Sequence, residues 1–340
     1  MKVFHDPIHS VHSPEFFLVR GRPALSADKP ERVDRLLAGV HRLGLEVDVP
    51  ADFGLDPIAA VHTDRYLEYL RTAHDEWMAL PDPKASEVVA NIHPARNPAG
   101  YPTGIVGRAG WHSADAACPI GPDTYKAALA SANSALSAAN AVADGAPLAY
   151  GLCRPSGHHA FADMAGGFCF LNNSAIAAQW LRGRYDRVAV LDIDVHHGNG
   201  TQGIFYDRSD VLTVSVHRDP ADYYPFFWGQ ADQVGTGDGH THNLNLPLPE
   251  GSGDTEFLGA VETGRKRIES YDPGALVVAL GLDAAVDDPL QGLRVTTEGF
   301  ERIGRAIAEL GLPTVLVQEG GYLCDALTDN LASFLAGVAG

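Results

Sequence analysis

The chain has 340 residues, 45% of them hydrophobic, which is enough for a core of several layers in one large unit or two smaller ones. Its 25 basic and 43 acidic side chains leave a formal charge of −18, which disfavours a nucleic-acid partner and suits solubility or a cationic ligand. No run approaches the roughly 18 uninterrupted apolar residues of a membrane span, and the opening MKVFHDPIHS lacks an apolar stretch of signal-peptide length, so no membrane partner and a cytoplasmic location are expected.

In chain order, the first predicted helix is KPERVDRLLAGVHRLG, residues 29–44, with Pro30 near its start and Gly44 near its end. Residues 79–122 are rich in Pro, Gly and Ala and fit no regular element; a loop this long inside a compact domain is usually functional or interfacial. Helical periodicity returns at 124–144, and a β-branched run follows at PLAYGLC, 147–153. A helix at 172–183 then leads to strand-like runs at RVAVLDIDV (187–195), VLTVSVH (211–217) and HNLNLPL (242–248). The chain closes with a helix at 254–271, a strand at ALVVALGLD (275–283), a helix at 297–311 and a strand at PTVLVQEGG (313–321). Such alternation predicts an α/β chain, one doubly wound domain over 1–340 whose strands are buried on both faces. Ligands of such folds bind beyond the carboxyl ends of the strands.

The strand ends carry unusual chemistry. Side chains two apart on a strand share a face, so Asp192, Asp194 and His196 are expected to line up at the end of RVAVLDIDV. Asp283 arrives at the end of a second strand. Any one of these has an ordinary explanation as a cap or a core histidine, but two carboxylates and an imidazole from separate strand ends make a three-ligand site. Such a site leaves a coordination position open, the mark of catalytic Zn2+, with Fe2+ also compatible with the oxygen-rich set. The glycine-rich stretch RPSGHHAFADMAGG carries the tandem His158 and His159, suited to proton transfer near neutral pH. QEGGY places Tyr322 on a glycine turn, where a phenol can donate to an oxyanion. Cys118, Cys153, Cys169 and Cys324 lack C-x-x-C spacing and read as reduced core thiols.

Together, RPSGHHA, GGFCFLNN, DIDVHHGNGTQ, GLDAAVDDP and QEGGY resemble, in order and spacing, the histone deacetylase and acetylpolyamine amidohydrolase superfamily, within it the bacterial acetylpolyamine amidohydrolases and class II-like deacetylases. The resemblance runs almost end to end and implies an arginase/deacetylase-like fold, a central mainly parallel sheet flanked by helices. It implies zinc ligands at Asp194, His196 and Asp283, a catalytic pair at His158 and His159, and a carbonyl-polarising tyrosine at Tyr322. Asp192 falls where an aspartate supports the first histidine and joins Asp194, His196, Ser215 and Val216 around a structural K+; Phe205, Arg208 and Val211 fall at a second monovalent-ion site. Two departures stand out: Ser156 replaces a common proline, and Asn199 replaces the aspartate that backs the second histidine in class I enzymes, which should leave His159 less basic.

Gly167, Phe168 and Tyr224 match the walls of the family's narrow acyl-amine channel, and Leu290 stands at its gate, where the eukaryotic polyamine-selective deacetylase carries glutamate. Polyamine-directed bacterial relatives carry acidic residues where this chain has Val106 and Ala117; Asp115 lies nearby. The expected reaction is hydrolysis of a small acylated amine, an acetylpolyamine or acetyl-lysine-like substrate, with another small or xenobiotic amide as the alternative. A ureohydrolase needs a D-x-H-x-D pattern and a second metal site, and a silent acyl-binding module would have lost Tyr322 or a zinc ligand. The resemblance also implies a homodimer joined through the 79–122 loop.

Overall fold

The computed structural model describes residues 1–94 and 100–340. Its strands are β1 (Lys2–Phe4), β2 (Phe16–Val19), β3 (Arg22–Leu25), β4 (Val47–Asp48), β5 (Leu148–Gly151), β6 (Val188–Asp192), β7 (Val211–Arg218), β8 (Asn243–Leu248), β9 (Ala275–Leu280) and β10 (Thr314–Gln318). Eight of them form one sheet in the spatial order β4, β1, β5, β10, β9, β6, β7, β8, and every described pairing in it is parallel. All six expected strands are present, and the sheet exceeds the mainly parallel expectation. The two extra edge strands, β1 and β4, have three and two residues, too few for any pattern to betray them.

The helices are α1 (Glu31–Arg42), α2 (Asp56–Ala59), α3 (Asp64–Met78), α4 (Ile105–Trp111), α5 (Thr124–Ala143), α6 (Asn173–Arg182), α7 (Asn199–Phe205), α8 (Asp254–Tyr271), α9 (Thr297–Ala308) and α10 (Leu327–Ala339). Strand alternation sends Val188, Val190 and Val277 to one face, where α3, α5 and α6 cover them. Ala189, Leu191, Leu276 and Val278 face the other way, against α1, α8, α9 and α10. This is the doubly wound sandwich in physical terms: both faces apolar, both covered. Among the described residues no helix is long and apolar enough to cross a membrane.

The 79–122 stretch is less open than its composition suggests. It contains α4, an antiparallel bridge between Val88 and Ile120, and buried Ile105 and Ala109, so part of it is packed core. Residues 95–99 of the stretch lie outside the described residues. β2 and β3 form a separate antiparallel hairpin, also unanticipated, close to the carboxyl edge of the sheet.

Candidate active site

Four neighbouring strands at the middle of the sheet, β5, β10, β9 and β6, deliver the chemistry from their carboxyl ends. β6 stops at Asp192, so Asp194 and His196 sit in the turn beyond the strand rather than on it, a correction to the one-face expectation. The alternation nonetheless persists, because Ile193 and Val195 continue into the apolar core and leave the polar side chains on the opposite side. Asp283 arrives three residues after β9.

The side chains of Asp194, His196 and Asp283 converge, with potential ligand atoms all within 4.8 Å of one another. His196 Nδ1 lies 3.0 Å from Asp194 Oδ1 and 3.2 Å from Asp283 Oδ2. Main-chain donors hold the outer oxygens: Gly320 N–H donates to Asp194 Oδ2 at 2.8 Å, and Val195 N–H to Asp283 Oδ1 at 3.1 Å. Asp283 Oδ2 is left buried with no hydrogen-bond partner. A Cβ at Gly320 would collide with both carboxylates, so only glycine lets β10 approach this closely.

Two carboxylates buried face to face demand positive charge. Burial pulls the His196 imidazole down, yet its hydrogen bond to Asp194 and its close pairing with the Asp283 carboxylate outweigh this and lift its pKa to about 9; burial and then Asp194 push the Asp283 carboxyl up. The cluster thus holds protons where a divalent cation would displace them. The orphaned oxygen, the glycine cradle and the O,N,O donor set fit a metal of the zinc or ferrous type.

Tandem histidines sit beside the cluster with ring centroids 4.0 Å apart and different partners. His158 Nδ1 pairs with Asp192 Oδ2 at 2.9 Å; His159 Nδ1 pairs with Asn199 Oδ1 at 2.7 Å. Burial lowers the pKa of both. For His158 the charges of Asp192 and Asp194 overcome burial and raise it well above the usual value, whereas His158 and His196 drive His159 further down. The two environments thus push the rings in opposite directions, His158 towards the imidazolium and His159 towards the neutral imidazole. With Nδ1–H donated to Asn199, the neutral ring keeps Nε2 as an acceptor.

Some roles could not be read from the motifs, even for residues inside them. Glu319 accepts from Gly157 N–H (2.6 Å), His158 N–H (3.0 Å) and Ser174 Oγ (2.7 Å), holding the histidine loop; burial pushes its pKa to about 7. Asp288, in the GLDAAVDDP stretch, accepts from Tyr322 N–H at 2.8 Å and anchors the tyrosine. Arg32, in the first turn of α1, donates to the carbonyls of Gly321 (2.6 Å) and Glu319 (2.7 Å) and lies 4.7 Å over the Tyr322 ring. Its partner Asp28 also binds Arg154; burial raises the Asp28 carboxyl, but the two guanidiniums outweigh it and bring the pKa to about 2. An arginine near a helix start reads as an exposed charge, so no sequence signal marked it.

Above the cluster opens a cleft of about 390 Å³ that reaches His159, Gly167, Phe168, Tyr224, Leu290 and Tyr322. Phe168 faces Tyr322 with centroids 5.9 Å apart, and the hairpin residue Phe17 packs on its other side at 5.3 Å. Tyr223 stacks flat on the His196 ring at 5.1 Å and was missed because its neighbour Tyr224 carried the family match.

Of the residues expected around monovalent ions, Asp192 lies directly across from Ser215 in the β6–β7 ladder, with Val216 next along β7. Phe205, Arg208 and Val211 span the turn from α7 into β7, where the Phe205 carbonyl accepts from Arg208 N–H at 3.0 Å. All four cysteines are free.

A parallel sheet whose central strand ends gather a metal-competent triad, a split histidine pair and a tyrosine beneath an aromatic cleft defines a hydrolase of the α/β class. Residues 26–338 match the histone deacetylase domain, and the chain belongs to the histone deacetylase and acetylpolyamine amidohydrolase superfamily. It is 49% identical over 337 residues to the acetylpolyamine amidohydrolase of Burkholderia pseudomallei, a match spanning 99% of this chain and 98% of that one. Acetylpolyamine amidohydrolase 2 of Pseudomonas aeruginosa is 41% identical over 343 residues, spanning 100% and 99%. A crystal structure of the Burkholderia pseudomallei acetylpolyamine aminohydrolase superposes with a TM-score of 0.97 over 100% of this chain and 98% of that chain, at 49% identity. The protein is accordingly a hydrolytic enzyme of the deacetylase and amidohydrolase type.

Proposed function

We propose that this enzyme removes the acyl group from a small N-acylated amine, an acetylpolyamine above all, using zinc held by Asp194, His196 and Asp283. The observation that carries the reading is the meeting, at the floor of one narrow aromatic cleft, of this triad with a neutral His159 and with Tyr322. When bound, the metal supplies Lewis acidity towards an amide carbonyl and a lowered pKa for water. His159 takes the proton of the attacking water at Nε2 and later hands it to the amine nitrogen as the C–N bond breaks, giving a carboxylate and a free amine. His158, kept charged by Asp192, stabilises the negative charge that develops, and Tyr322 donates its hydroxyl to the oxyanion. Asn199 fixes the tautomer of His159 without the added basicity of a carboxylate.

Relatives named for acetylpolyamines at 49% and 41% identity support the substrate, as do the slender aromatic walls at Phe168 and Tyr224. The reading is tested by a kinetic panel on the zinc-loaded protein, with N-acetylputrescine, N-acetylcadaverine, N8-acetylspermidine, acetyl-lysine peptides and an unrelated anilide. Highest kcat/KM on an acetylated polyamine is expected; a preference for the anilide would reassign the enzyme to another amide class.

The reading includes K+ bound by Asp192, Asp194, His196, Ser215 and Val216, and a second monovalent ion near Phe205, Arg208 and Val211. The free thiols suit a reducing cytoplasm. It also includes a homodimer through the 79–122 segment, supported by Ile92, 61% exposed, and Val106, 40% exposed, which leave apolar surface on that segment. Sedimentation is expected to give a dimer for the intact chain and a monomer for the Ile92→Asp/Val106→Asp double variant. A monomeric parent, or a double variant that stays dimeric, rejects that interface.

A further inference from the structure

One carboxylate joins the two walls of the catalytic cleft. Asp115 Oδ2 accepts from the Tyr224 hydroxyl and, at 3.2 Å, from Gly167 N–H, while its Oδ1 accepts from Ala117 N–H at 2.7 Å. Tyr224 forms one wall, its ring edge-on to His159 at a centroid distance of 4.9 Å. Gly167 turns the chain into Phe168 on the opposite wall with φ at +51°, and a Cβ there would strike the His159 ring. Asp115 therefore ties the 113–118 loop, the Gly167–Phe168 turn and the Tyr224 loop at one point beside the catalytic histidine.

Behind Tyr224 lies a second cleft, of about 480 Å³, lined by Phe161, Phe227 and Trp228 and reaching Asn199. Asp115 and Tyr224 line both clefts, so the hydrogen-bonded pair is the partition between them. The rear cleft thus offers space on the far side of the Tyr224 ring from the channel.

We propose that Asp115 is a positioning residue that sets substrate width: by holding Tyr224 it confines the channel to unbranched amines. Its carboxylate, engaged by three donors, acts on the wall rather than as a free anion for a distal ammonium. The inference rests on the amidohydrolase reading above. One extra methyl group against a fitted wall is worth about 10- to 200-fold in kcat/KM, so the wild type should reject a substrate branched beside the amide nitrogen by that order.

The test compares N-acetylputrescine with its analogue methylated on the carbon next to the acetylated nitrogen, in the metal-loaded wild type, Asp115→Ala, Tyr224→Phe and the double variant. The ratio of the two kcat/KM values cancels any loss of active protein, which a merely structural lesion would produce. Each single variant is expected to cut the preference for the unbranched amide by about tenfold. The double variant should fall no further than either single one, because both remove the same contact. If Asp115→Ala does not fold, Tyr224→Phe, which loses only a hydroxyl, decides alone. An unmoved ratio, or effects that multiply in the double variant, overturns the proposal. A wild type that hydrolyses neither amide removes the functional reading and this inference with it, whereas wild-type turnover with an unmoved ratio removes the inference only.

Discussion

Asp283→Ala is expected to abolish turnover and to leave the purified protein with a small fraction of the metal carried by the wild type, and Asp194→Ala and His196→Ala should behave alike. Each removes one of only three side chains whose ligand atoms meet at the cleft floor. The physical argument separates metal loss from misfolding. In the metal-free protein Asp283 is a liability: it is fully buried, faces Asp194, and has an oxygen with no hydrogen-bond partner. Burial and the facing Asp194 outweigh its pairing with His196, so its charge is on balance unfavourable, and removing such a charge does not destabilise as removing a well-satisfied one does. Metal-free Asp283→Ala should therefore unfold no more easily than the metal-free wild type, while the stabilisation that added zinc gives the wild type disappears. Elemental analysis and thermal unfolding with and without zinc check both halves; full metal content with near-normal turnover in any of the three variants would sink the assignment.

Tyr322→Phe should lower kcat by about 10² to 10³, the usual result of deleting one oxyanion donor, with a smaller change in KM. The substitution removes a hydroxyl from a ring that stays clamped, since Asp288 holds its backbone N–H and Arg32 stacks over its face. Both clamps act on atoms the variant keeps, so the ring should not move and the lost rate reports the hydroxyl alone. Steady-state kinetics on N-acetylputrescine measure it; an unchanged kcat would show that Tyr322 does not polarise the carbonyl.

The sheet core was legible because its six expected strands are short, largely apolar runs bounded by polar or glycine residues, and the residues beyond the ends of β5, β10, β9 and β6 meet around the cleft floor. α3 was legible and overlooked: Thr63 caps it, and Tyr66, Leu67, Leu70, Ala73 and Trp77 keep a helical period. α4, β1 and β4 are too short to carry a period. The Asp28, Arg32 and Arg154 network was illegible for another reason. Its members are ordinary charged residues 126 or more positions from some of their partners, and only the fold reveals that they are buried. Asp115 is the intermediate case, placed near the channel by resemblance while its three donors come from two distant loops and its own backbone turn.

The Arg32 clamp also bears on when the enzyme becomes competent during its synthesis. Arg32 and its two carbonyl partners, on Glu319 and Gly321, are separated by 287 and 289 positions. Until the 319–321 turn has left the ribosome, α1 presents its guanidinium to Asp28 with two of its three hydrogen bonds unmade, and the histidine loop lacks the carboxylate that gathers Gly157, His158 and Ser174. Contacts of such sequence separation form late and slowly. The catalytic histidines, though encoded near the middle of the chain, acquire their working arrangement only when its final strand inserts between β5 and β9. A nascent chain stalled before residue 319 therefore lacks every one of these contacts and is expected to have no activity.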